Sequence, residues 1–156
     1  MVYTPNGLFF SQTKYDHDIV DRVGLLDCKP THTPLSPNAS FVKDGVPYKD
    51  PSVYRSLVGA LQYLTITGPH ISYAVNQVSK FLQHPTIEHF TNVKRIIRYV
   101  KEIVTFGLMF SCPTQISIAG YSDAYWARCL NTRRSTFGYS IFLGENLVSW
   151  SAKSNP

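Results

Sequence analysis

Hydrophobic and polar residues alternate along the stretch from Ile116 to Lys153, and the alternation is interrupted twice. The first interruption is Leu130-Asn131-Thr132 and the second is Gly144-Glu145-Asn146. A period of two residues is typical of strands with one buried face, and Gly and Asn favour turns. The stretch therefore predicts a three-stranded antiparallel meander.

A shorter strand pattern begins the chain. Residues Val2 to Ser11 contain two apolar runs on either side of Thr-Pro-Asn-Gly. Asn6-Gly7 is a strong hairpin turn signal. We therefore predict a β-hairpin over these residues.

A helix and an irregular connector follow the predicted hairpin. The helix is expected to start at a cap near Ser11 or Thr13. The stretch from Cys28 to Asp50 is rich in Pro, Ser and Asn and lacks sustained periodicity, which favours an irregular crossing loop. The residues expected on the buried face of the helix are Tyr15, Ile19, Val20, Val23 and Leu26.

Three further helices are predicted in quick succession. Asp50-Pro51 supplies a cap followed by a proline at the first helical position, Pro69 opens the next helix, and Pro85 precedes a helix over Thr86–Ile103. Short links between them indicate a compact antiparallel bundle. The residues expected to face its core are Tyr54, Leu57, Val58, Leu61 and Leu64, then Ile71, Ala74, Val75, Val78, Phe81 and Leu82, then Ile87, Phe90, Val93, Ile97 and Val100.

Composition limits the class of protein. The chain has 156 residues, 44% of them hydrophobic and 16% charged, which suits one modest globular domain or two partial ones. Cys28, Cys112 and Cys129 are too widely spaced for a disulfide framework or a C-x-x-C metal pair, so a reducing compartment is expected. No apolar run reaches the length of a membrane span. We expect a soluble intracellular protein, cytoplasmic or nuclear, with no membrane partner.

The fourth predicted helix carries the clearest charge pattern. Lys94, Arg98 and Lys101 fall within about 60° of one another at ~100° per residue, and they span ~10 Å along the helix. Such a stripe can meet two or three phosphates, and the net charge of +5 is compatible with a polyanionic partner. The alternative is a solvated helix face whose cations are favoured by the negative end of the helix dipole.

An acidic residue lies near the end of the first strand of the meander. Strands are depleted in Asp, and Asp123 between Ser122 and Ala124 is either a turn cap or a functional carboxylate. The surrounding segments are Gly120-Tyr-Ser-Asp-Ala-Tyr-Trp-Ala127, Thr132-Arg-Arg-Ser-Thr-Phe-Gly-Tyr-Ser-Ile-Phe-Leu-Gly144 and Leu147-Val-Ser-Trp-Ser-Ala-Lys153. Together they resemble the start of the ribonuclease H domain in copia-type LTR retrotransposon polyproteins, especially those of plants.

The resemblance implies a role for Asp123. The usual family motif is Tyr-Ser-Asp-Ala-Asp-Trp-Ala, and its first Asp is a metal-binding catalytic carboxylate, which maps onto Asp123. The second Asp of the motif is Tyr125 here, a departure beside the metal position. Arg133 and Arg134, in the following segment, are candidate phosphate contacts together with the three cations of the fourth helix.

The resemblance extends over the first part of the chain. This part resembles the C-terminal part of a copia-type reverse transcriptase. In that family the region is a thumb-like helical unit that grips the template-primer duplex. Departures are Gly68-Pro69-His70, where the family usually has Arg-Pro-Asp, and Glu102, where it usually has Gly. The matching segments are Leu8-Phe-Phe-Ser-Gln-Thr-Lys-Tyr15, Leu26-Asp-Cys-Lys-Pro30, Tyr54-Arg-Ser-Leu-Val-Gly59, Leu61-Gln-Tyr-Leu64, Ile71-Ser-Tyr-Ala-Val75 and Val93-Lys-Arg-Ile-Ile-Arg-Tyr-Val-Lys101.

The family's chemistry needs more acids than this chain supplies. Family polymerases hold two magnesium ions at a Tyr-x-Asp-Asp hairpin, and no Asp-Asp pair exists here. Ribonuclease H chemistry also uses two metals held by several carboxylates. After Asp123 the remaining acid is Glu145, in a turn, and the family's next catalytic acid would follow Pro156. We expect Asp123 to be an incomplete magnesium site and no bound cofactor.

The sequence thus predicts an α+β fold with a N-terminal β-hairpin, an antiparallel thumb-like bundle and the meander of an incomplete ribonuclease H-like domain. Residues 1–110 would be the reverse transcriptase part and residues 111–156 the ribonuclease H part. We expect a polyprotein fragment without catalytic activity alone. The alternatives are a module that binds RNA–DNA or DNA duplex weakly and without sequence preference, and a ribonuclease H completed by another chain. The meander should dock on the bundle or self-associate through its edge.

Overall fold

The structure of the chain is a computed structural model that describes residues 1–24, 27–37, 39, 41–112, 115–125 and 135–154. Within them the fold is mixed α and β, as predicted, with two three-stranded antiparallel sheets and a helical bundle. The predicted turn at 130–132 and Leu26 lie outside the described residues. In chain order the elements are β1 (Val2–Thr4), β2 (Gly7–Phe10), α1 (Thr13–Arg22), α2 (Pro51–Leu64), a 3₁₀ turn (Pro69–Ile71), α3 (Ser72–Ser79), α4 (Ile87–Glu102), β3 (Leu108–Phe110), β4 (Ile118–Tyr125), β5 (Thr136–Leu143) and β6 (Asn146–Ser154).

The predicted hairpin is present, but its turn is placed differently. Thr4 pairs with Gly7, so the two turn residues are Pro5 and Asn6 rather than Asn6 and Gly7. Gly7 has a φ of 139° and lies in the strand, where an added Cβ would stand 2.0 Å from the Phe110 carbonyl oxygen. The glycine is therefore required by the close approach of β3, a contact that local turn rules do not include.

Strand β3 was not predicted from the sequence. It pairs antiparallel with β2 through Phe9 and Met109, about one hundred residues apart in the chain. The rings of Phe10 and Phe110 meet edge to face across this pair at 5.5 Å. A strand of three residues is too short for an alternation to be recognised, so its pairing had no local signal.

Helix α2 provides the centre of the core, and its predicted buried stripe is confirmed. The Asp50 carboxylate caps it by accepting a hydrogen bond from the Val53 amide at 3.1 Å. The remaining core comes from α1, α3 and α4, which pack against it. The fully or nearly fully buried apolar side chains outside α2 are Ile19, Val20, Ile71, Ala74, Val75, Val78, Phe81, Val93, Ile96, Ile97 and Val100.

The prediction that Ile87 of α4 faces the core is wrong. Ile87 is 50% exposed, whereas Ile96 is fully buried. At ~100° per residue, Ile87 lies roughly 120° from the centre of the apolar stripe and close to the direction of Lys94 and Arg98. Ile87 therefore belongs to the charged face of the helix.

A histidine closes the start of α4. His89 is 1% exposed, its amide donates to the Thr86 hydroxyl at 3.3 Å, and its Nδ1 accepts from the Thr86 amide at 3.1 Å. The imidazole also stacks on Phe81 at 3.8 Å and forms a backbone hydrogen bond with Val42 of the connector. This reciprocal arrangement is a capping box in which histidine takes the place of Glu or Gln.

The predicted meander is present as β4–β5–β6, and it docks on the bundle. Strand β6 lies against α3, where the Asn76 amide donates to the Ala152 carbonyl, and the Trp150 indole N–H donates to the Thr65 carbonyl at the end of α2 at 2.9 Å. Ile118 and Ile141 lie on the opposite face of the sheet, and Ile118 is 80% exposed. The bundle therefore covers one face only, and self-association through the edge of β4 stays a prediction.

A second connection joins the two sheets. The side-chain oxygen of Asn146 accepts from the Ser111 amide at 2.8 Å, and its nitrogen donates to the Ser111 carbonyl at 2.9 Å. Asn146 is 6% exposed, so these two bonds are shielded from water. They fix the start of β6 to the segment that leaves β3.

No helix within the described residues combines the length and the apolar character that crossing a bilayer requires.

We predict that acidification destabilises the fold through His89. Burial lowers the pKa of His89, outweighing the backbone bond to Val42 and the charge of Glu88, and burial also lowers the pKa of His70. The unfolded chain therefore binds protons more readily, so stability present above about pH 6.5 is lost as the pH falls through the lowered folded values. Urea unfolding between pH 7.5 and 5.5 should show this decline.

Two substitutions separate His89 from other titrating groups. His89→Gln keeps an acceptor for the Thr86 amide but cannot titrate, and the pH slope should be shallower. His84→Gln removes an exposed histidine and should retain the full slope. An unchanged slope in His89→Gln would contradict this account of the cap.

We predict that Asn146→Ala destabilises the protein by about 1–3 kcal/mol, because it leaves the amide and the carbonyl of Ser111 without their partners. Asn146→Asp keeps the acceptor but sets a buried carboxylate oxygen against the Ser111 carbonyl, so it should not recover the lost stability. Gln83→Ala, at an exposed position, should be neutral within about 0.5 kcal/mol. Thermal unfolding measures all three, and equal melting temperatures for Asn146→Ala and Gln83→Ala would show that the two hydrogen bonds between Asn146 and Ser111 contribute nothing.

Candidate nucleic-acid face and carboxylate

The basic face of α4, which we define as Lys94, Arg98 and Lys101, lies on one side of a regular helix. All three side chains are half-buried. The Lys94 ammonium lies 5.2 Å from the centre of the Phe90 ring, and the Lys101 ammonium donates to the Cys28 carbonyl at 2.8 Å. The aliphatic stems thus pack on the protein, and Lys101 also holds the connector in place.

An acidic residue borders the basic face. Glu102 lies four residues after Arg98, about 40° away around the helix, and its carboxylate is 3.4 Å from the His32 imidazole. Arg95, on the same flank of α4 as Glu102, donates to the Thr33 hydroxyl at 2.7 Å, and its buried Nε has no partner. The connector therefore uses some of the charges of α4, which leaves Lys94 and Arg98 as the more available cations.

The two arginines predicted to extend this face cannot be placed. Arg133 and Arg134 lie outside the described residues. Their contribution to phosphate binding stays a prediction from the sequence.

Asp123 lies in β4, where it is paired with Gly138 of β5 and is exposed to solvent. Strand alternation puts it on the same face of the sheet as Tyr121, and the register puts Trp150 and Ala152 of β6 on that face too. This is the face that packs against α3. The carboxylate is therefore next to the junction between the sheet and the bundle.

The nearest acid along the sheet is far from Asp123. Glu145 lies in the turn between β5 and β6, seven residues beyond Gly138, which is the position paired with Asp123. The five residues from Gly138 to the end of β5 at Leu143 alone span about 17 Å at ~3.4 Å per residue. The described residues contain no group of three or more His, Cys, Asp or Glu side chains that could hold a metal ion. They do not fit a two-metal site, in which the ions stand ~3.5–4 Å apart.

A groove of about 330 Å³ runs beside Asp123, between the sheet and the start of α3. Tyr73 and Pro69 line it from the bundle, and Tyr121 and Trp150 line it from the sheet. Sequence reasoning did not single out these aromatic residues, because they come from segments about fifty residues apart. The one feature of the local sequence that could have indicated this groove is Tyr73, an aromatic residue at an exposed position at the start of a helix.

The sequence is related to proteins encoded by plant transposons. No protein-family model matches it, and no solved structure does so at a significant level. It is 48% identical over 152 residues to an uncharacterized mitochondrial protein of Arabidopsis thaliana, covering 97% of this chain and 63% of that protein.

Two relatives carry transposon names. The chain is 41% identical over 150 residues to the retrovirus-related Pol polyprotein from transposon RE1 of Arabidopsis thaliana, which is 96% of this chain and 10% of that polyprotein. It is 34% identical over 160 aligned positions to the Pol polyprotein from transposon TNT 1-94 of Nicotiana tabacum, covering 96% of this chain and 12% of that polyprotein. The chain thus spans about a tenth of the Pol polyproteins that it matches. It belongs to the family of retrovirus-related Pol polyproteins of copia-type transposons.

Proposed function

We propose that this chain is a nucleic-acid-binding segment of a copia-type Pol polyprotein that does not cleave nucleic acid by itself. In this proposal, residues 1–110 are the C-terminal, thumb-like part of a reverse transcriptase, and residues 111–156 begin a ribonuclease H-like domain. The observation that carries it is the basic face of α4, three cations on one side of a packed helix.

The geometry of α4 supports phosphate binding. Lys94, Arg98 and Lys101 extend over ~10 Å along the helix. Duplex DNA carries one charge per ~1.7 Å, so several phosphates lie within reach of the three cations. The helix is anchored by Val93, Ile96, Ile97 and Val100 in the core, so the face is held rigidly. Contacts to phosphates carry no sequence information, so the expected binding is independent of sequence, and the expected partners are RNA–DNA or DNA duplexes.

The carboxylate geometry supports the absence of cleavage. Magnesium is a hard cation that needs several oxygen ligands, and Asp123 brings one carboxylate. Glu145 is separated from it by most of the length of β5. No hydrolytic step is therefore assigned to the described residues.

We predict weak duplex binding that falls steeply with salt. Two or three neutralised phosphates give a slope of log K against log salt of about −2 to −3. The double variant Lys94→Gln, Arg98→Gln should make that slope less steep by about 2. It should also weaken binding equally for unrelated sequences. Fluorescence anisotropy of labelled RNA–DNA and DNA duplexes across a salt series measures this.

The matched control removes one cation elsewhere. Arg55→Gln changes an exposed arginine on α2 and should leave the slope close to wild type. Binding that is absent or insensitive to salt in the wild-type chain would overturn the proposal. A slope that falls equally in Arg55→Gln would show general charge attraction rather than a face on α4.

We predict that the chain with magnesium does not cut an RNA–DNA hybrid above background, and that Asp123→Asn is indistinguishable from wild type in this assay. The reason is that one carboxylate cannot hold two metals. Cleavage that needs magnesium and disappears in Asp123→Asn would contradict this prediction and favour a ribonuclease H completed by another chain.

A further inference from the structure

The groove beside Asp123 has the size and lining of a ligand site. Its volume of about 330 Å³ falls at the lower end of small-molecule pockets. It lies where the sheet meets the first turn of α3, on the opposite side of that helix from its core residues. We call it the tyrosine groove and define it by Pro69, Ser72, Tyr73, Tyr121, Asp123 and Trp150.

Two of the aromatic walls of the tyrosine groove, Tyr121 and Trp150, are held in place by contacts. Tyr121 is 65% exposed, and its ring meets Phe142 edge to face at 5.9 Å. Trp150 is fixed by its indole bond to the Thr65 carbonyl. Tyr73 is 37% exposed at the beginning of a helix whose next turn is buried. Exposed, rigid aromatic rings offer stacking surfaces at little cost in side-chain entropy.

The polar atoms of the groove favour a hydrogen-bond donor over an anion. The Asp123 carboxylate can only accept hydrogen bonds at neutral pH, and it repels phosphate. The Ser72 hydroxyl oxygen is buried without a hydrogen-bond partner, and Ser72 lines the groove. An unpartnered buried hydroxyl gains from a polar ligand. The described lining therefore favours a flat group that carries an amine donor, and it disfavours an anion.

We propose that the tyrosine groove binds one unpaired nucleobase that carries an exocyclic amine, from a single-stranded stretch of nucleic acid. The base stacks on Tyr73 or Tyr121, its amine donates to Asp123, and the Ser72 hydroxyl pairs with a ring or exocyclic atom. The N4 amine of cytosine donates hydrogen bonds to Asp and Glu carboxylates in protein–DNA recognition. Proteins that bind single strands commonly stack the bases on aromatic side chains. This inference rests on the proposed nucleic-acid binding but uses a different surface from the basic face of α4.

The test compares three short single strands of equal length: oligodeoxycytidine, oligodeoxythymidine and an abasic deoxyribose-phosphate oligomer. The abasic strand keeps the phosphates and lacks bases, so it reports the basic face alone. We expect oligodeoxycytidine to bind at least about 5-fold more tightly than the abasic strand, and Tyr73→Ala or Tyr121→Ala to abolish that advantage. Tyr73→Phe and Tyr121→Phe keep the rings and should retain it.

Asp123→Asn tests the choice of base. Removal of a negative charge strengthens binding of every strand, so the readout is the ratio of affinities for cytidine and thymidine strands. We expect that ratio to exceed one in the wild type and to fall toward one in Asp123→Asn. A ratio unchanged by the substitution would overturn the assignment of Asp123.

Deoxycytidine nucleoside separates the groove from the basic face, because it carries no phosphate. We expect it to shift the Trp150 indole N–H resonance, assigned with Trp150→Phe, while free deoxyribose does not. Such a shift without any duplex binding would overturn the proposed function and leave the groove standing. Equal affinities for oligodeoxycytidine and the abasic strand, or an equal shift with deoxyribose, would overturn the groove and leave duplex binding standing.

Discussion

The bond between the Tyr54 hydroxyl and the Val78 carbonyl, 2.7 Å long, fixes the two helices on which the rest of the structure depends. Tyr54 is completely buried in α2, and burial raises the pKa of its phenol well above the usual range, so the group stays a donor. Val78 is in the last turn of α3, and its carbonyl also accepts from the Phe81 amide at 3.2 Å. The buried phenol thus finds an acceptor at the end of α3, and α3 is held where the sheet can dock on it.

Local sequence rules were sufficient for the elements that bury their own surface. The stripe of α2 was predicted in full, because its apolar residues recur at helical spacing and its start carries Asp50 and Pro51. Local sequence rules failed where contacts with a distant segment of the chain determine the structure. Strand β3 and the placement of Gly7 depend on a pairing across about one hundred residues. His89 caps its helix through a ring buried under the connector, which no spacing rule indicates.

The same division applies to the candidate site. The basic face of α4 follows from helical periodicity, and the isolation of Asp123 follows from counting acids along the chain. Helical periodicity does not predict the path of the connector. That path brings His32 to Glu102 and the Cys28 carbonyl to Lys101. Irregular segments have no repeating pattern, so their contacts are set by tertiary structure alone. The tyrosine groove was missed for the same reason, since two distant segments form it.

The pairing of β2 with β3 also bears on how the chain is made. Strand β2 is complete after residue 10, but its partner is added about one hundred residues later. At about 5–20 residues per second, a ribosome needs on the order of 5–20 s to supply it. A two-stranded hairpin is marginal in water, so the first ten residues must wait unprotected during that interval. Translation of the segment that follows α4 is thus the event that secures the β1–β2 hairpin.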